Sequence, residues 1–354
     1  MSYRIYIILA LCCLAIFFIQ KKIFVTENQK LIPQEESAIK IPLGLPPIPW
    51  PEDNHFSVKK SELGRLLYFD KRLSADQTIS CASCHNIPCA YSDCRAIAIG
   101  INETKGTRHS PTIINAAYSK HLFWDGRAAS LEEQCKGPIA NPKEMAEVDN
   151  IHEAHQQCVK RVRAIPGYRE LFKEVFGHDE ITIDEIAKAI ATFERSILSG
   201  NSAYDRYQAG DKSALNAEQI QGMKVFKKSG CVNCHRGVNF SDERFFNIGI
   251  GMDTPPIDTG RYVITHDKKD WGAFKAPTLR EVEHTGPYMH NGSLETLEEV
   301  IEYYNKGGNP NQNLHPLMRP LNLSEDDKKA LISFLKSLSG EGWKHFQEPQ
   351  EFPQ

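Results

Sequence analysis

Two short stretches carry the residues most able to do chemistry, Cys81-Ala82-Ser83-Cys84-His85 and Cys231-Val232-Asn233-Cys234-His235. Cys-x-x-Cys-His is the attachment signature of a c-type haem. Two thiols three positions apart reach the two vinyl groups of one porphyrin, and the adjacent imidazole then falls under the iron as proximal ligand. A redox Cys-x-x-Cys pair has no need of the histidine, and a zinc half-site needs further Cys or His at ligand spacing. Two copies in similar settings therefore predict two covalently bound haems, one held by Cys81, Cys84 and His85, the other by Cys231, Cys234 and His235.

The elements that position these stretches read as mostly α-helical. Leu63 to Asp70 reads as a short helix leading to the first stretch, and Gly222 to Phe226 as its counterpart before the second, a weak internal repeat of helix, Cys-x-x-Cys-His and loop. Thr182 and Glu185 form a capping box for a helix whose Ile186, Ile190, Phe193 and Ile197 share one face. Thr296 and Glu299 cap another, with Leu297, Ile301 and Tyr304 on its inner face and Gly307-Gly308 ending it. A last helix, capped by Ser324, carries Leu331, Phe334, Leu335 and Leu338 and is expected to end at Gly340. Strand signals are few. The fold class is mostly α, two cytochrome c-like haem domains with long loops and little strand.

With 354 residues the chain has room for two ordinary domains, and its formal charge of −3 implies no nucleic-acid partner. The polar stretch from Gly200 to about Lys212 is the expected boundary. We read residues 53–205 and 206–340 as the two haem domains, 23–52 as a tether and proline-rich strap, and 341–354 as a tail. Residues 1–22 read as a signal peptide or an N-terminal anchor. Ile5 to Ile19 is nearly all apolar between Arg4 and Lys21-Lys22. As a helix this run spans roughly 22 Å, short of a hydrocarbon core of about 30 Å, which favours a secretory signal. No clean small-x-small cleavage site follows, so an uncleaved membrane anchor stays open. Either way the remainder is exported, to a compartment where disulfides form. Of ten cysteines, Cys89, Cys94, Cys135 and Cys158 are neither in a haem motif nor in the apolar run. The favoured pairing is Cys89 with Cys94 and Cys135 with Cys158, with free buried thiols as the alternative.

Around these motifs the chain resembles the bacterial dihaem cytochrome c peroxidases and their MauG-type relatives, from about Leu45 to Gly340. The resemblance rests on Leu63 to Ser74, Ser110-Pro111-Thr112, Phe123-Trp124-Asp125-Gly126-Arg127, Leu131 to Met145, Phe274 to Arg280, and Pro287-Tyr288-Met289-His290-Asn291-Gly292 followed by Thr296-Leu297-Glu298-Glu299. It implies a peroxidatic N-terminal haem supplied with electrons by the C-terminal haem, with Trp124 between them. It also implies Gln134 and Glu144 on the open face of the first haem. That pair suits the chemistry: a carboxylate takes the first proton of H₂O₂ and returns it to the leaving oxygen, while an amide orients the peroxide.

Three positions depart from the typical peroxidase. Where a loop histidine ligates the resting peroxidatic iron, this chain has Ile101, so the first haem is expected to be five-coordinate or water-bound without reductive activation, as in MauG-type enzymes. Where the second haem has a distal Met, this chain has Tyr304, again like the MauG-type enzymes. Met318 or Met289 is the alternative ligand should Tyr304 be only a core residue. The Ca²⁺ commonly held between the haems would use the carbonyls of Thr285 and Pro287, but its Asn position is His109, and imidazole suits a hard cation poorly.

These features lead to an exported, periplasmic dihaem peroxidase that reduces H₂O₂ to water with electrons from a small soluble cytochrome c or cupredoxin. Its rival is a MauG-type enzyme that uses peroxide to oxidise residues of a partner protein, and a third reading is a plain dihaem electron carrier, which would not need Gln134 and Glu144. A homodimer is left open.

Overall fold

Two crossed helix pairs organise the molecule, and in each a glycine lets the backbones touch. The computed structural model describes residues 39–354; the apolar N-terminal run and most of the tether lie outside the described residues. Among them are eleven α-helices: α1 (Val58–Phe69), α2 (Cys81–Cys84), α3 (Leu131–Ile139), α4 (Ile151–Arg163), α5 (Pro166–Phe176), α6 (Ile183–Ser196), α7 (Ala203–Gln208), α8 (Ala217–Lys228), α9 (Tyr262–Thr265), α10 (Leu297–Asn305) and α11 (Glu325–Lys336). A two-residue strand β1 (Phe245–Phe246) pairs antiparallel with β2 (Phe274–Lys275).

Helix α1 packs on α6 and α8 on α11. A Cβ on Gly64 of α1 would collide with the Ala189 carbonyl and crowd the Phe193 side chain, and one on Gly222 of α8 would collide with the Ala330 carbonyl and crowd Phe334. The two crossings are therefore one device used twice, small residue against backbone with a buried phenylalanine beside it. We expect Gly222→Ala to force α8 from α11 and destabilise by about 1–3 kcal/mol or more. An unchanged melting temperature would contradict this close approach.

Each pair sits in its own apolar core. The first gathers Leu63, Leu67, Tyr68, Ile186, Ile190 and Phe193, and the second Val225, Phe226, Leu331, Phe334 and Leu335. Residues 41–354 nevertheless form one compact unit. The proline-rich strap is free of helix over its described residues and is tied down by Asn201 N–H to the Leu43 carbonyl (2.7 Å) and Tyr118 Oη to the Pro46 carbonyl (2.8 Å).

The end of the chain does more than trail. Trp343 is buried in the first core, with Phe346 and Phe352 packed against it. The Gly167 N–H bonds the Gln354 carbonyl (2.7 Å) and Arg72 donates to the Pro353 carbonyl (2.9 Å). The chain thus leaves the second core and returns to the first.

Two expectations need correcting. Cys89 and Cys94 form a disulfide, but Cys135 on α3 and Cys158 on α4 are free thiols buried in the first core. Pro138 lies inside α3, in its last turn, and Glu144 is in the loop that follows. The last helix stops at Lys336, where Ser337 turns its hydroxyl onto the Phe334 carbonyl, so Leu338 and Gly340 lie beyond it.

Candidate active site

Both Cys-x-x-Cys-His stretches fold as a single tight turn. Ser80 and Ser83 cap α2 reciprocally, and the His85 amide bonds the Cys81 carbonyl at 3.0 Å. In the second copy Gly230 adopts φ 82°, which a side chain would strain, and the His235 amide bonds the Cys231 carbonyl at 2.9 Å.

The imidazoles are set for a metal. His85 Nδ1 is 3.0 Å from the Pro111 carbonyl and 3.3 Å from that of Tyr91, and His235 Nδ1 is 2.9 Å from the Phe240 carbonyl. Carbonyls only accept, so Nδ1 carries the proton and Nε2 keeps its lone pair, the orientation of a ligating histidine. Burial lowers both pKa values and favours the neutral ring. The thiols point away from redox work: burial pushes Cys84 up to about 12 and Cys231 and Cys234 to about 11, the reverse of a reactive dithiol. Among the described residues no three His, Cys, Asp or Glu cluster as a metal site. The donor set fits haem.

One cavity of about 660 Å³ is lined from both halves by Cys84, His85, Gln134, Glu144, Trp124, Cys231, Cys234, His235, Tyr304 and Met318. Cys81 packs against the first core instead. On the first side, Gln134 projects from α3 with no hydrogen bond to its side chain among the described residues. Glu144 follows in a turn, its Oε1 accepting from Asn141 Nδ2 at 2.6 Å. Burial raises its pKa, opposed by Asn141 and by the Arg127 charge. Asn141 escaped the sequence reading; the signal was an Asn-Pro pair three residues before the acid, a turn former.

Ile101 is buried and does not line the cavity. Its amide donates to the Glu144 carbonyl at 3.0 Å, and Gly100 lies so close to the Lys143–Glu144 backbone that no Cβ fits there. The loop thus braces the glutamate. His109, the nearest imidazole in that loop, has both nitrogens engaged, by Ser92 Oγ (2.9 Å) and by the Arg95 carbonyl (3.0 Å). It has no free nitrogen for a calcium ion either, leaving only the Thr285 and Pro287 carbonyls of the expected set.

Trp124 is held between the two ends. Its Nε1–H donates to the His109 carbonyl (2.8 Å), the His109 amide donates to the His290 carbonyl (2.8 Å), and the Trp124 and His290 rings meet edge to face at 6.4 Å. His290 in turn stacks on Phe274 with centroids 3.6 Å apart.

This contact exposes a longer repeat than the sequence suggested. Phe123-Trp124-Asp125-Gly126 matches Met289-His290-Asn291-Gly292: Phe123 and Met289 both have positive φ, as do the two glycines, and Asp125 and Asn291 each accept from the amide two residues on. At the same spacing Pro111-Thr112 matches Pro277-Thr278, with Thr112 and Thr278 hydroxyls on the Ala90 and Asn239 carbonyls. Still at that spacing, Ser130 matches Thr296 as a helix cap and α3 matches α10. Gln134 then corresponds to Val300, and Tyr304 to Pro138. Equivalent helices thus border the two sites, one offering a phenol where the other offers a ring with no ligand atom.

Tyr304 is turned into the cavity beside Cys231 and Cys234, and burial pushes its pKa up. Its hydroxyl has no hydrogen-bond partner among the described residues, whereas its neighbour Tyr303 donates to the Ile248 carbonyl at 2.8 Å. Met318 and Met289 also line the cavity.

Residues 58–213 match the family model of di-haem cytochrome c peroxidase, and 219–339 that of cytochrome c. A cytochrome c551 peroxidase of Nitrosomonas europaea is 41% identical over 283 residues, 79% of this chain and 80% of that protein. Methylamine utilization protein MauG of Methylorubrum extorquens is 37% identical over 320 residues, 87% of this chain and 86% of that one. The crystal structure of a MauG-like protein associated with microbial copper homeostasis superposes with a TM-score of 0.81 at 32% identity, covering 88% of this chain and 99% of that chain. With helix crossings, histidine orientation and sequence in agreement, the chain belongs to the dihaem cytochrome c peroxidase and MauG family, haem oxidoreductases that act on peroxide.

Proposed function

We propose that the protein is an exported dihaem c-type peroxidase, reducing H₂O₂ to two waters with two electrons from a small periplasmic redox protein. Cys81 and Cys84 attach one haem and Cys231 and Cys234 the other, with His85 and His235 as proximal ligands. The haems supply the iron at which peroxide is reduced and the relay for electrons, entering at the second and used at the first. The observation that carries the reading is the pairing of Gln134 and Glu144 at the first end of the cavity, where the equivalent helix of the second half carries Val300 in place of the glutamine. The Glu144 carboxylate takes a proton from the near peroxide oxygen and returns it to the far one, which leaves as water. The Gln134 amide, free of other partners, holds the peroxide. Trp124, fixed at its ring nitrogen and edge-on to His290, lies on the path between the sites. An electron carrier would need none of this acid–base apparatus.

Tyr304 favours a second reading, a MauG-type enzyme that withdraws electrons from residues of a protein partner. In either case neither Pro138 nor Ile101 could supply a sixth ligand to a haem held at the first site. We expect the as-isolated diferric protein to give a high-spin EPR signal and to react with H₂O₂ before any reductant is added. Steady-state turnover should then oxidise two molecules of reduced cytochrome for each H₂O₂. Two low-spin signals, with reactivity only after reduction, would contradict the open first site, and no peroxide-dependent cytochrome oxidation would refute the peroxidase.

A further inference from the structure

The exposed charges around the second Cys-x-x-Cys-His stretch are of one sign. Between residues 224 and 244, Lys224, Lys227, Lys228, Arg236 and Arg244 are all exposed. The two acids of the same stretch turn inward: the Asp242 side chain, 3% exposed, pairs with Arg244 at 2.6 Å, and Glu243 faces Lys275 at 3.7 Å. Lys224, Lys227 and Lys228 make no side-chain hydrogen bond or ion pair among the described residues. Lys224 and Lys228 line a surface groove with Ser229 and Arg319, and the last two also line the haem cavity, so the groove adjoins the second site. One acid lines the groove, Asp327, and it accepts from Gln221 at 3.4 Å. Val232, between the two attachment cysteines, is 36% exposed, and Val238 38%.

A small apolar centre with a charged rim is the anatomy of a transient protein interface. Lysines in the last turn of α8 are also explained by the helix dipole, but Lys224, Arg236 and Arg319 are not. Nor does composition explain the face, since the chain carries a formal charge of −3. We infer that this face docks the electron donor and that the donor presents an acidic patch, as an acidic cupredoxin or acidic small cytochrome c does. The inference rests on the reading that electrons enter at the second haem. Nucleic acid or an anionic membrane would match the charge, but neither delivers electrons, and the face surrounds an attachment loop. Each docking oxidises one donor by one electron; two electrons and two protons convert one H₂O₂ to two waters.

The test uses the full-length holoprotein with H₂O₂, reduced acidic plastocyanin and reduced basic cytochrome c, and follows donor oxidation by stopped flow against ionic strength. Binding is read separately by NMR titration of cadmium-substituted plastocyanin, which cannot transfer electrons. Plastocyanin should react faster than the basic donor, with a rate that falls as salt rises. The Lys227→Glu/Lys228→Glu variant should lose about tenfold or more in both rate and affinity at low salt. The Lys71→Glu/Lys160→Glu variant, with the same change in net charge elsewhere, should lose neither. A faster basic donor, or equal losses in both variants, would overturn the proposal. So would loss of binding to phosphatidylglycerol vesicles in the Lys227/Lys228 variant with plastocyanin affinity intact, which would assign the face to a membrane. Hydroquinone, a neutral reductant, separates the two levels: no peroxide-dependent oxidation of it by the unaltered holoprotein would refute the peroxidase. Turnover of hydroquinone with a salt-insensitive plastocyanin reaction would refute only the docking face.

Discussion

Replacing Glu144 with Gln should slow the reaction with H₂O₂ by ~10²-fold or more, the usual scale of a positioned general base, while leaving both haem spectra nearly unchanged. The substitution is close to isosteric. The Gln oxygen can still accept from Asn141 Nδ2, now 2.6 Å from the carboxylate, and the Ile101 amide still bonds the backbone carbonyl. What is lost is the site for a proton. The pH dependence follows with a definite sign. The base acts in its ionised form, and burial raises its pKa, so the rate should fall as pH drops through a midpoint above the ordinary carboxylate value of about 4.3. That acid limb should vanish in Glu144→Gln. A variant with an unaltered rate constant and the same limb would make Glu144 a bystander, and another group would have to move the proton.

Those parts of the fold set by local chemistry could be read from the sequence. The capping pairs Thr182/Glu185 and Thr296/Glu299 form as their spacing requires, because a cap depends on residues three apart and little else. The Cys89–Cys94 disulfide, five residues apart, is similarly local. Cys135 and Cys158 are different: sharing a core does not aim two thiols at one another, and spacing along the chain says nothing of that geometry. The tail was missed because Trp343, Phe346 and Phe352 follow no helical or strand period, so only their long-range contacts reveal them as core. The second level of the repeat was hidden for another reason. The loop joining the Cys-x-x-Cys-His stretch to its Pro-Thr is longer in the second half, which shifts everything after it relative to the haem motifs. Only the shared positive φ values, hydrogen bonds and caps bring Trp124 opposite His290 and Pro138 opposite Tyr304.

That last correspondence gives Tyr304→Phe its expected result, a changed coordination at the second haem and a potential moved by on the order of 100 mV or more, within the roughly 0.8 V that axial ligands span. Leu297 and Ile301 anchor α10 in the second core, and Tyr304 continues their face into the cavity beside Cys231 and Cys234. A phenol facing the cavity without a protein hydrogen-bond partner leaves its oxygen free to meet whatever fills that space. Apolar surroundings push its pKa up, and a ferric iron supplies the positive charge that can bring it down, so the haem would both satisfy the hydroxyl and ionise it. A phenolate ligand would stabilise Fe(III), which would lower the potential of the second haem and favour the MauG-type reading over the ordinary peroxidase. The matched comparison is Met318→Leu. Met318 also lines the cavity, but its methyl group sits where a Cβ on Gly308 would collide with it, and its loss should leave coordination and potential in place. EPR and a redox titration of both variants decide the matter: a second haem insensitive to Tyr304→Phe and disrupted by Met318→Leu is a His/Met centre of high potential, and the protein is then a peroxidase of the ordinary kind.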